Sequence, residues 1–305
     1  MRGDKTDFEN LETQLEALRL QMREAVADGQ LDTALDISNQ ALALAGQAGD
    51  VVEIDRSALS RGAIQVARGA GDQVLPEMRR ILMRSADRAN RFNAAYAIAQ
   101  HLELEGDIER SRFYANTALS YAEAWDDDAA IAKAHNQVAN LELLGSYFEE
   151  AACSYEKALH LIQGESVECA ILLSNLGYCY TVLGRHDAAF SVLGRSCDML
   201  VRLEVTSWQH LPLLGLAYAC LEIEHYPRAE RYARRALELA EEARYQDNQV
   251  KNALYLLGES TKLAGNEDEA FEHFTHLQQR FYPDQPLIVD VLLSTDIRKL
   301  INLMA

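Results

Sequence analysis

Breakers of regular structure are scarce, with 5 prolines and 16 glycines in 305 residues. Such a chain favours long helices over short strands joined by tight turns. Basic residues are short too: 29 Lys and Arg stand against 47 Asp and Glu, for a formal charge of −18. A field of that sign repels phosphate backbones, so no nucleic-acid partner is expected. No apolar run reaches the ~18 residues that a membrane-spanning helix needs, so no membrane partner is expected either. The opening MRGDKTDFENLE lacks the apolar core of a secretory signal. Cys153, Cys169, Cys179, Cys197 and Cys220 are odd in number and form no C-x-x-C pair. They fit free thiols in a reducing, cytoplasmic compartment.

Catalytic signatures are missing as well. There is no phosphate-binding glycine loop, no dinucleotide fingerprint and no G-x-S-x-G elbow. Glu269, Glu272, His273 and His276 share adjoining strips of one predicted helix. They lack the HExxH order and read as ordinary residues of a wet face. The expectation is a non-enzyme with no catalytic residue, no cofactor and no metal.

What the chain does have is recurrence. Residues 170–199 read AILLSNLGYCYTVLGRHDAAFSVLGRSCDM, and the spacing of Leu176-Gly177, Tyr180, Gly184 and Ala189 returns along the chain. Small residues stand at Ala34, Ser111, Ala151, Ala189, Ala229 and Ala270, and from Ser111 onward they recur at about forty residues. A small side chain is needed wherever the two helices of a hairpin cross closely. Seven hairpins can be laid down, near 8–47, 51–89, 90–124, 129–163, 168–202, 207–245 and 248–281. In the second, Pro76 falls in the first turn of a helix, where its missing N–H costs little. That same predicted helix carries Arg80, Arg84, Arg88 and Arg91 on one face, a basic stripe that reads as ion-paired surface.

Leu176-Gly177, Tyr180, Gly184 and Ala189 resemble the tetratricopeptide repeat, as do Leu257-Gly258, Gly265, Ala270 and Phe274. The units are longer than the usual 34 residues or so. In that they resemble those of kinesin light chain and of bacterial peptide-sensing regulators. The resemblance implies an all-α fold, a right-handed α-solenoid of about seven hairpins over 1–283 with capping helices in 284–305. Few residues precede the first hairpin, so a sensor of this kind would signal through a separate effector.

A stack of such hairpins has a concave wall made by the first helix of each pair. Offsets from the inward-packing small residues assign its side chains. Ala99 places Asn93, Tyr96 and Gln100 there, and Ala139 places Lys133, Asn136, Gln137 and Asn140. Gly177 places Ser174, Asn175 and Tyr178, and Ala217 places Tyr218 beside Leu211, Leu214 and Leu221. Gly258 places Asn252, Tyr255, Glu259 and Lys262. Asn and Gln each offer a donor and an acceptor, which suits an extended peptide backbone, and Tyr adds contact area with a polar tip. Asn136, Asn140 and Asn175 match positions with which related repeat proteins hold peptide main chain. The expected function is a peptide- or protein-binding scaffold or adaptor that uses this groove.

The tail supplies the alternative. After the break at Tyr282-Pro-Asp-Gln-Pro, residues 287–293 and 297–304 read as two short helices rich in Ile, Val and Leu. They would cap the last hairpin or, as an apolar patch, make the chain an assembly subunit that forms homo-oligomers.

Overall fold

The structure, a computed structural model, describes residues 3–242, 247–298 and 302–303. Among them are fifteen α-helices, a 3-10 turn at Gly71–Gln73 and no strand. The chain divides into two compact units, Met1–Leu141 and Glu142–Ala305. The first holds α1 (Gly3–Ala27), α2 (Leu31–Ala48), α3 (Val51–Ala67), α4 (Leu75–Arg84), α5 (Arg88–Leu104), α6 (Ile108–Trp125) and most of α7 (Asp128–Leu144). The second holds α8 (Phe148–Leu161), α9 (Val167–Val182), α10 (His186–Arg202), α11 (His210–Glu222) and α12 (Tyr226–Glu242). It continues with α13 (Asp247–Leu263), α14 (Glu267–Phe281) and α15 (Ile288–Ser294).

Every hairpin turns in the same way. A residue in the left-handed region follows the first helix, and two backbone bonds close over it. At Gly184 these are Gly184 N–H to Thr181 O and Arg185 N–H to Tyr180 O, at 3.0 and 2.8 Å. This is the Schellman arrangement, which satisfies the last carbonyls of the helix. Gly29, Gly69, Gly106 and Gly265 hold the same place, but Ser146 and Glu224 hold it in two hairpins of the second unit. In the fourth turn the left-handed residue is Ser146, one position past Gly145.

The crossings explain the small residues. A Cβ on Gly177 would lie 2.4 Å from Leu193 Cγ, and one on Gly258 would lie 2.3 Å from Phe274 Cε1. Glycine on α9 and α13 therefore lets a large side chain of the next helix fill the wedge. Where the small residue is serine it also bonds across: Ser111 Oγ donates to Ala99 O and Ser196 Oγ to Ala170 O, both at 2.7 Å. Successive helices are neighbours from α1 to α6 in the first unit and from α8 to α15 in the second, and α3 also meets α5, α9 meets α11 and α11 meets α13. These odd-numbered helices form the inner layer of each unit.

Two expectations change here. The arginine stripe is not one face of one helix. Helix α4 ends at Arg84, Ser85 is extended, and Asp87 starts α5 by accepting from Asn90 N–H at 2.7 Å. Arg80 pairs with Glu77, while Arg91 donates from Nε to Ser85 O. In the tail α15 forms, but Thr295 is extended and residues 296–298 are not helical. The remainder of the expected second helix, 299–301 and 304, lies outside the described residues, apart from Asn302 and Leu303.

Candidate functional site: two inner walls

In the first unit, Asn93, Tyr96 and Gln100 sit half-buried on the inner face of α5, and Lys133 of α7 leans over them. Lys133 Nζ is 4.5 Å from the centre of the Tyr96 ring, a cation–π contact at an exposed site. Gln100 Nε2 donates to Tyr96 Oη at 3.4 Å. Gln137 is buried, and its Nε2 donates to Tyr96 O at 3.3 Å, tying α7 to α5. Tyr96, Gln100, Glu103, Gln137 and Asn140 line an adjoining cleft of about 260 Å³. Burial raises the Glu103 carboxyl above the ordinary range. Asn136 is half-buried on α7 and lines neither of these two clefts.

In the second unit, Ser174, Asn175 and Tyr178 of α9, Tyr218 of α11 and Asn252 of α13 converge on one cleft, with Leu211 and Leu214 beside them. Tyr178 lies edge-on to Phe148 at 6.1 Å and 5.7 Å from Tyr218. Ser174 is turned away from ligand duty: its Oγ bonds Ala170 O and Ser196 Oγ. Tyr255 and Glu259 of α13 are not part of that lining but lie buried behind it, at 4% and 0% exposure. Burial raises both side chains' pKa values, and for Glu259 the ammonium of Lys262, 2.7 Å away, works in the opposite direction.

The cleft is occupied by the chain itself. Leu303 lines it, and its main chain is held on both sides. Leu303 N–H donates to Tyr178 Oη at 3.0 Å, and Asn252 Nδ2 donates to Leu303 O at 2.5 Å. Tyr178 Oη also donates to Asn302 Oδ1 at 3.2 Å, and Asn302 Nδ2 donates to Leu143 O at 2.7 Å. Burial is the main reason that the Tyr178 hydroxyl is pushed up to about 12. Further back, Lys262 Nζ donates to Leu292 O and Thr295 O, and Arg298 reaches Leu221 O and Glu222. Sequence reasoning placed Tyr178 and Asn252 on the wall but missed Glu222, Arg298, Asn302 and Leu303. A polar Asn inside the apolar run Leu-Ile-Asn-Leu was the one available signal.

Among the described residues, no group of three or more His, Cys, Asp or Glu side chains is placed to hold a metal ion. Glu269 instead pairs with Arg234 at 3.0 Å and His273 at 3.6 Å. No helix among them is long and apolar enough to cross a membrane.

Hairpins closed by Schellman turns, with a small residue at each crossing and an inner layer of first helices, define the tetratricopeptide-repeat fold. Solved structures of that fold superpose on this chain. The apo form of RapI does so with a TM-score of 0.67 and 11% identity over 94% of this chain and 82% of its own. A Rap protein complexed with competence and sporulation factor gives 0.65 and 14%, over 95% and 79%. A signal-transduction ATPase with a tetratricopeptide-repeat sensor, from Pyrococcus horikoshii, gives 0.69 and 17%, over 96% of this chain and 46% of its own. No protein-family model and no curated protein matches the sequence.

Proposed function

We propose that this protein is a non-enzymatic scaffold whose inner walls bind extended segments of other proteins. One observation carries the reading: wall side chains already hold a main-chain unit by its N–H and its C=O, through Tyr178 and Asn252 at Leu303. Those groups recognise backbone and not a particular side chain, so any extended segment offers them the same partners. The open clefts of the first unit, around Tyr96, Gln100 and Asn140, carry the same residue types. A Rap protein of the same fold, solved in complex with competence and sporulation factor, supports the reading by analogy.

The self-associating alternative has less apolar surface to use. Val289 and Leu292 are buried, leaving Leu287, just before α15, and Val291 on it as the exposed large side chains. Selection of peptides from a random display library against the purified protein tests the proposal. Peptides should be enriched, and Asn140→Ala combined with Asn175→Ala should weaken the best of them about tenfold. No enrichment, or binding indifferent to every wall substitution, would refute it.

A further inference from the structure

The floor of the second unit's wall is more acidic than its occupant requires. Glu222 at the end of α11 and Glu259 on α13 face the Arg298 guanidinium, whose charge acts on Glu259 as Glu259 acts on it. Yet Arg298 Nη1 stands 3.5 Å from Glu222 Oε1 and 3.5 Å from Leu221 O, long for either interaction. The cause is Asp296, which takes the guanidinium in a two-pronged pair, Nε to Oδ1 at 2.9 Å and Nη2 to Oδ2 at 2.7 Å. Glu222 Oε1, Glu259 Oε1 and the Tyr255 hydroxyl are left buried with no hydrogen-bond partner. Buried polar atoms without partners are costly, and here they cluster around one cation. Three carboxyl groups, on Glu222, Glu259 and Asp296, thus gather around two cationic side chains, Lys262 and Arg298.

Resting on the peptide-binding reading above, we infer that the second unit's wall is a site for a segment of another protein bearing an arginine four residues before an Asn-Leu pair, and that the tail, through Asp296, Arg298, Asn302 and Leu303, is its imperfect resident competitor. The arginine enters the acidic floor between Tyr218 and Tyr255, and the asparagine spans Tyr178 and Leu143 as Asn302 does. The following residue lies between Tyr178 and Asn252 by its main chain. A segment with no acid two residues before its arginine gives the whole guanidinium to Glu222 and Glu259. It therefore displaces the tail, whose own arginine is half spent on Asp296.

The test uses a fluorescent peptide of residues 294–305 and anisotropy, with the full-length chain and with the full-length double variant Arg298→Ala, Asn302→Ala. Emptying the wall should tighten peptide binding about tenfold, because the resident no longer competes. Changing the peptide's Asp296 to Ser should tighten it further, and changing its Arg298 to Ala should abolish it. Glu222→Gln with Glu259→Gln, added to the double variant, should weaken the unaltered peptide about tenfold. Equal binding by the unaltered chain and a double variant of unchanged helicity would overturn the inference, as would full binding of the arginine-less peptide. A doubled mass of the unaltered chain, lost in the double variant, would assign the wall to a second copy and likewise overturn it. Display-selected peptides that still bind and still respond to Asn140→Ala and Asn175→Ala would then leave the broader function standing.

Discussion

The two units present the same kind of wall in different states. In the first, Tyr96 and Gln100 bond one another, Lys133 covers the ring, and two clefts stay open beside them. In the second, the equivalent Tyr178 and Asn252 are spent on the chain's own Leu303. The residue types are alike, so wall composition alone does not decide occupancy. A tail that can reach the wall, with an arginine for its acidic floor, decides it in the second unit.

The comparison breaks most sharply through the core. Phe274 is fully buried and fills the space left by Gly258. Phe274→Ala should cost about 3–5 kcal/mol. Hydrogen exchange should quicken through α13 and α14, with α5 and α6 keeping their protection; equal loss in both units would deny that they are separate bodies. A smaller change probes the occupied wall alone. Tyr178→Phe keeps the ring against Phe148 and Tyr218 but removes the hydroxyl that serves Leu303 and Asn302. It should weaken tail engagement by about 1 kcal/mol, read as faster exchange of the Leu303 amide.

The hairpin turns differ between the units as well. Gly29, Gly69 and Gly106 take the left-handed position in the first, while Ser146 and Glu224 take two of the positions in the second. Glu224→Gly should therefore stabilise the second unit by about 0.5–1 kcal/mol in urea, whereas Gly106→Ala should destabilise the first by a similar amount. The smallest effect is on pH dependence. His210 is fully buried, stacked beside Trp208, and burial pushes its pKa below the usual histidine value. The unfolded chain therefore takes up its proton first as pH falls. Stability from the neutral ring is complete above about pH 6.5 and is lost as pH drops from there through the depressed value. His210→Phe should flatten the fall in Tm over that window, and an unchanged slope would show that the ring does not contribute.

Much of this was legible in the sequence because repetition is a local signal. Helix α3 could be placed by its period, Pro76 by its tolerance of a first turn, and the crossings by Gly177 and Gly258. The same offsets brought Asn93, Tyr96, Gln100 and Lys133 to one cleft, and Asn175, Tyr178, Tyr218 and Asn252 to another. Two things left no periodic trace. The arginine run looked continuous because Arg84 and Arg88 keep helical spacing, although the extended Ser85 breaks the helix between them. The return of the tail joins Leu143 to Asn302 and Leu221 to Arg298, contacts between residues far apart in sequence that no hydrophobic period encodes.

The central claim is that the inner wall of the second unit grips main chain by its N–H and C=O. A photo-reactive benzoylphenylalanine placed at position 303 of the full-length protein tests it most directly. After irradiation and digestion, the cross-link should map to the peptides containing Tyr178 and Asn252. A cross-link to the outer helices α10, α12 or α14, or none at all, would contradict the account.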